Sequence, residues 1–352
     1  MPPITKPNCP SKCGDVDIHF PFGIRDDCAL PKFKLTCNSS SSSPPRLYRG
    51  NLEVMSITVE TGEMRIVSPV SYICYNSSNT IEFDQLAGWN ISVSRSFLIS
   101  KRRNMFTAIG CSTLAFLQGS EVLTGCISSC DSLEDAARDK DECAGLGCCQ
   151  TAIPGNLSRV VVDWKYRTGD SNPAWNSHAV TPSWPRKTGT YQFYREDLMR
   201  EGNKSFITSP NGTNLPLVLD WAIKGDRPCY VGNGTSATYA CASNNSTCVN
   251  ATQGNGYLCN CSQGFPGNPY LAGGCIKDEL KMITKQYSKP IGGGNFGKVF
   301  MGITKDNQQV AVKRSIVQDS RKTQEGGEFV DEITFQLEMR HKNLVRACWV
   351  LP

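Results

Sequence analysis

Seventeen of the 18 cysteines fall before residue 276, and Cys348 stands alone beyond it. Cysteines crowded this closely serve either as cross-links in an oxidising compartment or as metal ligands. Zinc sites use short repeated cysteine pairs, often with histidine. Here the spacings do not repeat, and the histidines are only His19, His178 and His341. No metal site is expected, and residues 1–276 read as an oxidised, extracellular framework. A formal charge of +5, with 20% charged residues, fits neither an acidic disordered chain nor a strongly basic nucleic-acid binder. Nucleic acid is therefore not an expected partner.

Glycosylation sequons agree with secretion. Asn-X-Ser/Thr begins at Asn38, Asn76, Asn90, Asn156, Asn203, Asn211, Asn233, Asn244, Asn245, Asn250 and Asn260, and nowhere after that. Asn244 and Asn245 overlap and Asn260 lies between two cysteines, so carbohydrate is expected at Asn38, Asn76, Asn90, Asn156, Asn203, Asn211, Asn233 and Asn250. A secretory leader needs a basic start and an apolar run of about 7–15 residues, and a span needs about 20. The sequence shows neither. Its best apolar runs, 215–223 and 160–164, are too short.

Residues 1–150 hold eleven cysteines, at 9, 13, 28, 37, 74, 111, 126, 130, 143, 148 and 149. Alternating runs at 52–59 and 91–94 predict half-buried strands. The Ser/Pro-rich segment 38–45 predicts a loop. Residues 150–225 contain no cysteine beyond this set and carry strand-like runs at 159–164 and 216–223. Six cysteines follow, Cys229, Cys241, Cys248, Cys259, Cys261 and Cys275. A single residue separates Cys259 from Cys261, which is the diagnostic detail of this block. Six cysteines allow fifteen pairings. The spacing resembles an EGF-like module, with a knottin-like scaffold as the alternative. The EGF resemblance implies the pairs 229–248, 241–259 and 261–275. The approach to Cys229, Lys224-Gly225-Asp226-Arg227-Pro228, has one carboxylate among bases, so calcium is not expected.

Beyond residue 277 the character changes. Ile291-Gly292-Gly293-Gly294-Asn295-Phe296-Gly297-Lys298-Val299 contains G-x-G-x-x-G-x-V, and Val310-Ala311-Val312-Lys313 follows. Phe329, Ile333 and Leu337 repeat every four residues, which predicts an amphipathic helix carrying Glu332. The three elements in order resemble the start of a protein kinase domain. That resemblance implies nucleotide-binding roles for Ile291, Gly292, Gly294, Gly297, Val299, Lys313 and Glu332, with Lys313 on the phosphates and Glu332 paired to it. No H-R-D-x-x-x-x-N or D-F-G occurs in the 352 residues. No catalytic residue is therefore assigned, and the chain as it stands is expected to be inactive and to use no cofactor; ATP and magnesium belong to a full-length relative.

An ectodomain, an EGF-like module and a kinase start, in that order, resemble the plant wall-associated receptor kinases. Cys9-Pro10-Ser11-Lys12-Cys13-Gly14-Asp15-Val16 with Phe20-Pro21-Phe22-Gly23-Ile24 is similar to the opening of that family's galacturonan-binding domain. Cys143–Gln150 with Ile153-Pro154, and Leu219-Asp220-Trp221, are similar to its second ectodomain region. The expected fold is mainly β and disulfide-rich, followed by an incomplete α+β kinase N-lobe. The expected segments are 1–150 (galacturonan-binding-like), 151–228 (second region), 229–276 (EGF-like), 277–290 (linker) and 291–352 (kinase N-lobe). The resemblance implies pectin or oligogalacturonides as ligand, possible protein partners for the EGF-like module, and an extracellular or plasma-membrane location. Against that pattern a leader, a second EGF-like module of the calcium-binding kind, a span and most of the kinase are expected to be missing, and residues 347–352 leave the kinase pattern. Segment 171–178 lacks a cysteine that the family implies, which leaves an odd count among the first eleven. Two further readings stand beside a truncated receptor: a fragment of an active Ser/Thr receptor kinase, and a product without function.

A polyanionic sugar calls for cations beside an aromatic platform. Residues 1–110 carry twelve Lys/Arg against nine Asp/Glu. Within them Arg46, Arg49 and Arg65, with Tyr48 and Trp89 for stacking, are the candidate glycan-binding residues.

Overall fold

The structure, a computed structural model, describes residues 3–40, 43–75, 81–85, 90–111, 113–119, 121–165, 192–198, 214–224, 229, 239–277, 279–285, 287–294, 297–304 and 306–315. The chain divides into two compact units. One is Ile4–Asn260 with Asn268–Gly274, and the other is Met1–Pro3, Cys261–Gly267 and Cys275–Pro352. Among the described residues the fold is mainly β, with a single short α-helix at Glu279–Ile283.

The large unit is built on two antiparallel sheets. The first orders its strands Phe97–Ile99, Asn214–Trp221, Glu63–Pro69, Leu52–Thr58, Ser43–Arg49 and Thr36–Ser40. The second runs Leu123–Ser128, Thr113–Gln118, Arg159–Lys165 and Asn90–Ser92. Strands from both sides of residue 150 therefore share both sheets. Alternation explains which face is buried: Leu47, Val54, Ile66 and Leu217 turn inward across the first sheet, while Arg46 and Arg65 turn outward. A bulge between Val54 and Ser56 shifts the alternating run predicted there.

The Ser/Pro-rich segment is not the loop its composition predicts. Thr36–Ser40 and Ser43–Arg49 pair, with Asn38 opposite Arg46 and a bulge before Ser40. Packing overrides composition here, because Cys37 is fixed to Cys13 and Leu47 is fully buried. Gly14 serves this contact: at φ +56°, a Cβ on it would lie 2.2 Å from the Pro45 carbonyl oxygen.

The core centres on aromatic rings drawn from distant segments. Phe22 meets Phe33 and Trp221 edge to face, each at 5.1 Å between centroids. Phe97 lies 5.7 Å from Phe33. Edge-to-face pairs add about 0.5–1.5 kcal/mol beyond the area they bury. The two family-like motifs, Phe20-Pro21-Phe22-Gly23 and Leu219-Asp220-Trp221, thus meet in the core, where they build the fold. Gly23 is required there, since a Cβ would sit 2.4 Å from the Cys28 carbonyl oxygen.

Ten of the first eleven cysteines pair, as 9–28, 13–37, 111–130, 126–149 and 143–148. The eleventh, Cys74, lies on the Tyr72–Tyr75 strand with its side chain outside the described set. The following six pair as 229–248, 241–259 and 261–275.

The hairpin of this six-cysteine block is part of the large unit's core. Ile223 and Tyr257 exchange backbone hydrogen bonds at 2.9 and 3.0 Å. Tyr270 packs 6.0 Å from Trp221. The Asn268 amide donates to the carbonyls of Phe20 at 2.7 Å and Ile4 at 3.0 Å. The Gln253 amide donates to the Ile99 carbonyl at 2.8 Å and to Asp220 Oδ2 at 2.9 Å. These are buried polar groups satisfied by partners far away in sequence.

Candidate functional site

Two regions carry the expected chemistry, one in each unit. In the smaller unit, Pro290–Gly294, Gly297–Ile303 and Gln309–Ser315 form an antiparallel sheet. Gly292 pairs with Val299, and Val299 with Lys313, so the three share one rung. Directly paired residues share a face, which puts Val299 and Lys313 on the side that Gly292 leaves clear. A Cβ on Gly292 would meet only Val299, at an ordinary 3.9 Å. The sheet itself does not require glycine there. On the other face Phe300 is buried against Tyr287, 5.1 Å between centroids, and the Arg314 guanidinium lies over Tyr287. Ile291 and Lys313 are exposed, and Val299 is half-buried. Gly294 and Gly297 pair at the end of the hairpin. Glu332 and its helix lie outside the described residues.

In the large unit the three candidate arginines do not converge. Arg46 is exposed and its guanidinium donates to both Glu53 carboxylate oxygens, at 3.3 and 3.1 Å. Arg65 is exposed on the same solvent face, two strands away. Arg49, two residues beyond buried Leu47, turns to the core side. Its guanidinium covers the Phe97 ring at 3.7 Å and donates to Ser94 Oγ at 2.8 Å. Burial lowers its pKa, and it acts as a clamp between strands. Tyr48 is half-buried opposite Glu53, and Trp89 lies outside the described residues.

Of the expected carbohydrate sites, Asn38, Asn90, Asn156 and Asn250 are exposed. Asn76, Asn203, Asn211 and Asn233 lie outside the described residues. Asn250 Oδ1 accepts the Cys229 amide at 3.2 Å. Asn260 Oδ1, by contrast, is buried.

A further set of cations gathers around the Gln253–Asn255 turn. The Lys224 ammonium donates to the Asn255 carbonyl. Burial, with Arg95 adding repulsion, lowers the Lys224 pKa. Lys101 stands beside Gly155 and the Gln253 side chain, and Arg102 acts on Asp220. The run Lys101-Arg102-Arg103 is visible in the sequence, whereas the approach of Arg95 to Lys224 follows from the pairing of Phe97–Ile99 with Asn214–Trp221.

The large unit is a disulfide-rich β fold with the six-cysteine hairpin built into its core, and the smaller unit carries a glycine-rich sheet presenting a lysine. Residues 9–68 match the family described as wall-associated receptor kinase galacturonan-binding. Residues 285–351 match the protein tyrosine and serine/threonine kinase family. Wall-associated receptor kinase 2 of Arabidopsis thaliana is 36% identical over 279 residues, covering 76% of this chain and 34% of its own. Wall-associated receptor kinase 4 of the same plant is 32% identical, covering 77% and 34%. Wall-associated receptor kinase 3 is 31% identical, covering 80% and 38%. No solved structure gives a significant match. The chain belongs to the wall-associated receptor kinase-like family, and it spans about a third of the length of the curated relatives it matches. No helix among the described residues is long and apolar enough to cross a membrane.

Proposed function

We propose that this chain is the wall-binding part of a receptor, whose large unit holds pectic polyuronate outside the cell. The match of residues 9–68 to a galacturonan-binding family carries this reading. The buried disulfides and exposed sequons support an extracellular setting. An anionic sugar is suited to arginine and lysine, which supply charge-assisted hydrogen bonds to each carboxylate. The EGF-like module is a candidate contact for other extracellular proteins.

The glycine-rich sheet suits nucleotide phosphates, with Gly292 and Gly294 allowing close approach and Lys313 supplying charge. Magnesium and phosphotransfer belong to residues beyond these elements. We infer no phosphotransfer by residues 1–352 alone, because neither H-R-D-x-x-x-x-N nor D-F-G is among them.

Co-sedimentation of the whole chain with de-esterified and with fully methyl-esterified pectin tests the wall-binding reading. Retention by the charged polymer alone is expected. Retention by neither polymer, or equally by both, overturns it.

A further inference from the structure

Three asparagines stand directly before glycine, Asn211, Asn233 and Asn255. The first two open Asn-Gly-Thr sequons, where a glycan on the amide nitrogen prevents its loss. Asn255-Gly256-Tyr257 has no Ser or Thr two residues on, so its amide stays bare. The structure sets that amide in an exposed turn, between Gly254 at φ +69° and Gly256 at φ +140°. Neither the Asn255 side chain nor the Gly256 N–H has a hydrogen-bond partner among the described residues. The Lys224 ammonium donates to the Asn255 main-chain carbonyl. That carbonyl and the Gly256 nitrogen belong to one peptide group. The cation therefore draws electron density from this amide and makes its proton more acidic.

We propose that Asn255 is a site of spontaneous deamidation, activated by Lys224, whose isoaspartate product loosens the seat of the six-cysteine hairpin. The deprotonated Gly256 nitrogen attacks Asn255 Cγ and closes a five-membered succinimide. The proton it gave up returns through water to the side-chain nitrogen, which leaves as ammonia. Water then adds to one ring carbonyl and breaks one C–N bond. Opening at the main-chain carbonyl gives isoaspartate, and opening at Cγ gives aspartate. Lys224 polarises the main-chain carbonyl, so it directs water there, and the carboxylate released at that carbon pairs with the ammonium. Isoaspartate also lengthens the backbone by one methylene, where the turn has no slack. A Cβ on Gly254 would lie 2.6 Å from Leu98 Cδ1, and one on Gly256 2.6 Å from the Ile223 carbonyl oxygen. The same turn carries the hydrogen bond from the Ala251 amide to the Gly256 carbonyl, at 3.0 Å, and leads into the Ile223–Tyr257 pair. Lengthening it strains the contacts that hold the hairpin in the core.

The whole chain, secreted with its disulfides formed, is aged in warm, mildly alkaline buffer. Peptide mapping then separates asparagine, aspartate and isoaspartate at position 255, and urea melts compare fresh with aged protein. Conversion at Asn255 with isoaspartate in excess is expected, together with a lower urea midpoint in the aged sample. Lys224→Met should convert severalfold more slowly and with a smaller isoaspartate share, and Lys224→Arg should restore both. Asn255→Gln would need a six-membered ring, so it should stay unconverted and keep its midpoint on ageing. An intact Asn255 in the aged parent overturns the proposal. Equal rate and product ratio in Lys224→Met overturns the part given to Lys224. Conversion without any fall in the midpoint overturns the loosening of the hairpin.

Discussion

The Asn268 side-chain amide donates a 2.7 Å hydrogen bond to the carbonyl of Phe20, joining residues 248 positions apart. Its second donor hydrogen reaches the Ile4 carbonyl, and its oxygen accepts the Tyr270 amide. One buried side chain thus ties the EGF-like block to the N-terminal segment. Beside it, Tyr270 packs on Trp221 and Trp221 on Phe22. The hairpin and Asn268–Tyr270 belong to the large unit's core.

Replacing Asn268 by alanine leaves the buried Phe20 carbonyl and the Tyr270 amide without this partner, while the Ile4 carbonyl keeps the Phe20 amide at 2.8 Å. Each unsatisfied buried group costs about 1–3 kcal/mol, so a loss of about 2 kcal/mol or more is expected in urea denaturation. A variant that unfolds at the parent's midpoint would show that the docking contributes little to stability.

Asp220 gives the large unit a pH dependence. Burial raises its carboxyl above the usual carboxylate range, and cross-strand Glu63 adds to this while Ser100, Arg102 and Gln253 oppose it. The folded state thus keeps its proton to higher pH than the unfolded chain. This contribution is fully present below the unfolded pKa and is lost as pH rises through the folded one. Asp220→Asn keeps an acceptor for Gln253 and removes the titration. Urea melts across the acidic to neutral range should show the variant gaining on the parent as pH rises. Parallel curves would contradict the assignment.

Glycopeptide mass spectrometry of the secreted chain tests the reading of the sequons. Carbohydrate is expected at exposed Asn38, Asn90, Asn156 and Asn250, and not at Asn260, whose oxygen is buried between Cys259 and Cys261. Full occupancy at Asn260 would require the hairpin to pack differently.

Much of this architecture is readable from residue pattern, and what is not has physical causes. Period-two alternation marks the strands at 52–58 and 159–165 because each buries one face. The glycine-rich stretch and Lys313 are legible because each residue type answers a local need. The pairing of 36–40 with 43–49 is hidden by serine and proline, since the Cys13–Cys37 bond and buried Leu47 hold it against composition. Arg49 looks like a ligand-binding cation until Phe97 is seen beneath it. The approach of Arg95 to Lys224 is invisible in the chain order, because the pairing of Phe97–Ile99 with Asn214–Trp221 brings those segments together.

The most direct measurement is a calorimetric titration of a de-esterified oligogalacturonide into the whole chain at low and at high salt. Saturable binding that weakens as salt screens the charges is predicted. No binding, or binding indifferent to salt, would contradict a polyuronate receptor.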